Sequence, residues 1–213
     1  MKEVRISTYF ENEEQFITGI FAHRLNERGY VYGSAIYIAP GIFITARHVA
    51  EEGYLIAKNN RFADIKDHPQ DTEAPFESDV LHFMKNKQLA TWPIRKVYFV
   101  GNSDVAIAVC ERSNDENSLK VADITQKIQI DLHPPLLGSN VLVTGYAGMT
   151  NEFKINKSFH KAVLMHSSGS VEAFYTEDEN ISKAAAFQTN AVIKGGMSGG
   201  PAFNSEGALW HEL

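Results

Sequence analysis

Short runs rich in β-branched and aromatic residues, each closed by turn residues, make up most of the chain, and no stretch sustains a helical period. Six runs come first: Phe16 to Ala22, Tyr30 to Ile38, Ile42 to Thr45, Tyr54 to Ala57, Lys96 to Val100 and Val105 to Val109. They read as strands, and six strands are enough to close one barrel. Polar Glu111 to Ser118, with Asn-Asp-Glu-Asn at its centre, marks the linker. A second series follows at Lys127 to Ile130, Val141 to Tyr146, Phe159 to His166, Ser170 to Tyr175, Ala184 to Thr189 and Pro201 to Phe203. The pattern predicts an all-β chain of two antiparallel six-stranded barrels. The first covers about residues 15–112, the linker about 111–126 and the second about 127–213. Asn59 to Thr91 is long, charged and broken by Pro69 and Pro75, so it reads as a solvated insertion, with a lid or a partner-binding loop as the alternative.

Composition narrows the classes. At 213 residues and 44% hydrophobic content the chain can build a sizeable core. A formal net charge of −6 at pH 7, without a basic run, argues against nucleic acid or an anionic membrane as partner. No segment reaches the roughly 18 apolar residues of a spanning helix, and Met1-Lys2-Glu3-Val4-Arg5 does not open a signal peptide. A cytoplasmic location is therefore expected. The single cysteine, Cys110, permits no intrachain disulfide and is expected to be a buried packing residue. No Cys/His cluster has metal-ligand spacing, and the acidic clusters Glu11 to Glu14 and Glu177 to Glu179 read as solvated loops; neither a metal nor another cofactor is expected.

The chemistry-bearing stretch is Gly195-Gly196-Met197-Ser198-Gly199-Gly200-Pro201. Glycines allow positive φ and close backbone approach. The N–H groups of Gly196 and Ser198 can thus converge beside the Ser198 hydroxyl, pairing a nucleophile with a pocket for the oxyanion its attack creates. A glycine-rich turn between strands is the plain alternative. Two distant segments bear on it. Ile42 to Val49 is an apolar strand ending in a histidine, His48, and Ser103-Asp104-Val105 puts a carboxylate at the mouth of another apolar strand. Such a carboxylate needs a cationic or hydrogen-bonding partner, and His48 can be that partner. The order His48, Asp104, Ser198 excludes the G-x-S-x-G elbow of α/β-hydrolases, in which serine comes first and a helix follows it. Pro201 blocks a helix at that place.

These residues resemble the chymotrypsin-like (trypsin-like) serine proteases: T-A-x-H at Thr45 to His48, D-[IV]-A at Asp104 to Ala106, and G-x-S-G-G-P at Gly196 to Pro201. Within that superfamily the chain looks most like the HtrA-like bacterial protease domain, through Gln188-Thr189-Asn190-Ala191-Val192-Ile193, Gly33-Ser34-Ala35 and Leu137 to Val141 with Gly145-Tyr146. The resemblance implies two barrels of the chymotrypsin type, with the last strands of the second missing after Trp210. It implies a serine endopeptidase with His48 as base, Asp104 as its orienting acid and Ser198 as nucleophile. The oxyanion hole would be the N–H groups of Gly196 and Ser198, and the substrate pocket would involve Val192 and Met197. Val192 where an acidic residue would attract Arg or Lys favours an apolar side chain before the scissile bond. The expected partner is a protein or peptide substrate, with activity controlled by a regulatory partner, a conformational switch or the missing C-terminal segment. The alternative is a trypsin-like domain with an incomplete cleft that binds peptides or partners without turnover.

Overall fold

A computed structural model describes residues 17–24, 27–57, 71–73, 78–83, 89–111, 128–154, 157–175 and 185–210. The first sheet is built from β1 (Ile17–Arg24), β2 (Glu27–Ala39), β3 (Ile42–Ala46), β4 (Asp71–Glu73), β5 (Ser78–Phe83), β6 (Leu89–Phe99) and β7 (Val105–Cys110), with one helix, α1 (Arg47–Ala57), after β3. Its order is β4-β6-β5-β1-β2-β3-β7, and a further pairing of β6 with β7 closes six of the strands into an antiparallel barrel, leaving β4 outside on β6. Closure follows from alternation. In β7 every second residue, Ala106, Ala108 and Cys110, points inward, and in β3 Phe43 and Thr45 do so. Small inward alanines make room for large rings: Phe43 and Trp92, both fully buried, meet edge to face at 5.7 Å, with Tyr37 5.5 Å from Phe43. Cys110 lies in this core as expected, and burial pushes its thiol pKa up, with Asp79 adding to the rise.

Three expectations for this half are corrected. Tyr54 to Ala57 is the end of α1 and not a strand, and His48 stands in the first turn of that helix, past the end of β3 at Ala46. Val49, Ala50 and Gly53 form the buried face of α1, and Val49 sits so close to Gly33 of β2 that a Cβ there would overlap it. The supposed insertion at 59–91 contributes β4, β5 and the start of β6, with Val80 and Ala90 in the barrel core and Leu81 buried on the opposite face of β5. Its charged stretch hid a hydrophobic strand. Residues 58–70 and most of the linker, 112–127, lie outside the described residues, as do both acidic clusters.

The second half comprises β8 (Ile130–Asp131), β9 (Asn140–Lys154), β10 (Lys157–Tyr175), β11 (Ala186–Thr189), β12 (Ala202–Phe203) and β13 (Leu209–Trp210), in the order β11-β10-β9-β12-β13-β8. Phe159 to His166 and Ser170 to Tyr175, expected as two strands, are one continuous strand β10 paired first with β9 and then with β11. The six-stranded count holds, but among the described residues this sheet is open, and β13 pairs with β8 in parallel. Its core gathers Val141, Val143, Met197 and Trp210, with Phe187 edge to face on Trp210 at 5.9 Å. Ile36 and, more exposed, Ile44 of the first barrel pack with Leu142, Phe203 and Leu209 of the second sheet. That shared apolar seam fixes how the two halves face each other, and the chemistry-bearing residues lie beside it.

Candidate active site

The helix that carries His48 begins where the turn before β7 ends. The first N–H groups of a helix lack partners within it, and Asp104 supplies two. Its carbonyl accepts the Arg47 N–H at 2.9 Å and its carboxylate Oδ1 accepts the His48 N–H at 3.0 Å. The other carboxylate oxygen, Oδ2, lies 2.7 Å from His48 Nδ1. One aspartate thus caps the helix from 56 residues away and orients the imidazole on it. Burial alone would raise the Asp104 pKa. The hydrogen bonds from the His48 ring and backbone, with the charges of His48 and Arg47, outweigh that and hold it below the ordinary value. Because a carboxylate only accepts, Nδ1 carries the proton between them and Nε2 is the basic nitrogen. Both side chains stay about half exposed, at 57% and 52%, so the pair is open to a substrate.

Ser198 comes from the loop between β11 and β12. Lys194 C=O accepts the Met197 N–H at 3.0 Å, and Gly196 has φ +96°, which together define a type II turn with Gly196 at its third position. The central peptide is turned over relative to a type I turn, and this sets the direction of the Gly196 N–H. Asn190 anchors the approach: its carboxamide oxygen accepts the Ser170 N–H at 2.8 Å, and its amide donates to Ser170 Oγ and Glu172 Oε1. Gly199, with φ +83°, lies against the first barrel, where a Cβ would overlap the Ser34 carbonyl oxygen and come within 2.9 Å of the Ala46 nitrogen. Ser198 is therefore brought beside the end of β3, two residues before His48.

The residue that joins the two halves here is Ser34 of β2, which is fully buried. Its N–H donates to Ser198 C=O at 2.7 Å, its hydroxyl donates to Gly196 C=O and accepts the Tyr146 N–H, both at 2.8 Å, and its own C=O accepts from Thr45 Oγ1 at 2.7 Å. Sequence reasoning noted Gly33-Ser34-Ala35 as a pattern but gave Ser34 no role. Ser34 lies on the face of β2 that also carries Ile36 and meets the second half, and a lone hydroxyl in that apolar run is the signal that could have found it.

The structure joins His48 to Asp104 and ties Gly196 and Ser198 to the barrel that carries them. It places Val192 on the surface, 64% exposed, with its N–H bonded to Ser167 Oγ at 2.7 Å. Met197 points the other way, 2% exposed in the second core, its sulfur 3.4 Å from the Lys194 nitrogen. Met197 thereby anchors the loop from beneath. Among the described residues no group of three or more His, Cys, Asp or Glu is arranged to hold a metal, and no helix is long and apolar enough to cross a membrane.

A two-half β fold with a histidine–aspartate pair on the first half and a glycine-bounded serine on a loop of the second defines a class. The trypsin-like peptidase domain model matches residues 33–210, and the chain belongs to that family. Solved structures share the fold at low identity. Deg5 superposes with a TM-score of 0.59 at 17% identity, covering 94% of this chain and 79% of that one. An alanine mutant of Rv3671c from M. tuberculosis, in its inactive form, gives 0.52 at 14%, covering 92% and 75%. The MamO protease domain from Magnetospirillum magneticum, in its apo form, gives 0.51 at 15%, covering 92% and 82%. No curated protein sequence matches the chain.

Proposed function

We propose that this trypsin-like protease domain is a serine endopeptidase acting on protein substrates through His48, Asp104 and Ser198. The observation that carries the reading is the double grip of Asp104 on His48, through the ring Nδ1 at 2.7 Å and the backbone N–H at 3.0 Å. That grip fixes both the tautomer and the direction of the base. Ser198 Oγ attacks the scissile carbonyl carbon while His48 Nε2 takes its proton. The negative oxygen so formed is met by the N–H groups of Gly196 and Ser198. The imidazolium, stabilised by Asp104, then protonates the leaving amine, and water releases the acyl group by the same route in reverse. Val192 and Ile193, uncharged and 64% and 57% exposed, support a preference for an apolar side chain before the cleaved bond.

Incubation of the full chain with an unfolded protein such as reduced casein, with product ends mapped by mass spectrometry, tests this. Cuts after apolar residues, absent with Ser198→Ala, are expected. Peptide binding without cleavage would instead make the domain a binding module.

A further inference from the structure

We propose that Arg47 is a positioning residue that locks the acid-bearing turn, residues 100–104, onto the base-bearing helix α1; this rests on the reading of Asp104 and His48 as acid and base. Three elements meet at its side chain. The guanidinium Nε donates to Glu51 Oε1 at 2.8 Å, one turn further along α1. Its Nη1 donates to Gly101 C=O at 3.2 Å, in the middle of the turn, and its Cζ lies 4.8 Å from the centre of the Phe99 ring at the end of β6. With the backbone N–H on Asp104 C=O, Arg47 holds the turn at two points three residues apart.

The turn itself is folded by Ser103 N–H and Oγ, both on Val100 C=O at 3.0 and 2.6 Å, and by Val100 N–H on Val105 C=O. It is a stiff unit, so holding Gly101 sets where Asp104 stands. Glu51 is 6% exposed, and a buried carboxylate needs its cation, which keeps the guanidinium in place. An ordinary exposed i,i+4 ion pair contributes only about 0.3–0.5 kcal/mol to stability. Arg47 differs in spanning a carboxylate, a carbonyl and an aromatic face at once, which a planar five-donor group can do and an ammonium cannot. The consequence is specific: lysine can neutralise Glu51 but cannot also hold Gly101 and stack on Phe99.

Full-length wild type, Arg47→Lys, Arg47→Ala and the double variant Arg47→Ala/Glu51→Gln, which leaves no buried carboxylate unpaired, would be compared for thermal stability, turnover of a small activated ester, and the nitrogen-15 histidine NMR signal of His48 Nδ1–H. Arg47→Lys is expected to keep the wild-type melting temperature yet lose kcat by roughly 10- to 100-fold, the scale of a misplaced catalytic group, with KM within about twofold. The double variant is expected to fold and show the same loss. Recovery of kcat in Arg47→Lys, or wild-type kcat in the double variant, would overturn the proposal. If wild type fails to turn over the ester, the proposed function falls, and the NMR signal still decides: a shifted or broadened His48 Nδ1–H in the double variant upholds the role of Arg47, and an unchanged one refutes it.

Discussion

Replacing Ser34 by alanine removes one hydroxyl and, with it, the partners of two backbone groups, the Tyr146 N–H and the Gly196 C=O. Ser34 is fully buried, and Tyr146 is 3% exposed, so water does not readily replace what is lost. An unsatisfied buried polar group costs about 1–3 kcal/mol; the Tyr146 N–H incurs that in full and the Gly196 C=O, whose bond is only part-buried, in part, so the loss is roughly 2–4 kcal/mol. That is a large share of the roughly 5–15 kcal/mol that holds a domain together. For a chain of this length about 3 kcal/mol lowers Tm by roughly 6–12 °C. The same change frees the turn that aims the Gly196 N–H. Loss of one oxyanion donor costs about 10²–10³ in rate, which bounds the effect from above. Urea unfolding and calorimetry measure the first quantity, and kcat on a small ester below the melting transition measures the second. Ser34→Ala within about 1 kcal/mol of wild type, the low end of the cost of a single such group, and with undiminished kcat would refute the idea that Ser34 clamps the two halves.

Other perturbations separate the remaining parts. Asp104→Asn keeps an oxygen for the His48 N–H but turns a donor toward Nδ1, and kcat is expected to fall by about 10⁴ through the wrong tautomer. The folded pKa of Asp104 is depressed, so its stabilising effect is present above the unfolded carboxylate value of 3.8 and is lost as pH falls through the folded value. The stability gap between wild type and Asp104→Asn, from urea unfolding at several pH values, should therefore narrow as pH falls below 3.8; a constant gap would contradict the ion-paired reading. Gly199→Ala must place a Cβ at φ +83° against Ser34 C=O. A left-handed conformation and forced overpacking together cost roughly 2–5 kcal/mol, and a variant as stable as wild type by urea unfolding would contradict the close approach. Cys110 should resist iodoacetamide in the folded chain and react on unfolding, since burial keeps its thiol protonated; fast labelling of native protein would show the barrel core to be open.

What the sequence revealed, and what it hid, follows from the range of the interactions. Strands β3 and β7 were legible because each is a short apolar run rich in β-branched residues, and the Ser198 loop because its glycines have no other economical use. His48 was assigned to a strand end because the signal that starts α1 is not local. The cap is Asp104, far along the chain, where an N-cap is sought one residue before the helix. Residues 78–83 were lost in a charged stretch because two of their four buried positions, Ser78 and His82, are polar, and the apolar pair Val80 and Leu81 alone shows no period. The role of Ser34 is tertiary throughout: each partner of its hydroxyl lies in the other half of the molecule. Met197 was read with the serine beside it, yet adjacent residues of a tight loop face opposite ways, and it is Met197 that fills the second core.

The central claim, that His48, Asp104 and Ser198 form one working nucleophile, is tested most directly by intact-mass analysis after treatment with an active-site fluorophosphonate. The full chain would be run beside Ser198→Ala and His48→Ala. The account predicts a single adduct on wild type, mapped to Ser198 and missing from both variants. An adduct that persists in Ser198→Ala, or none on folded wild-type protein, would contradict it.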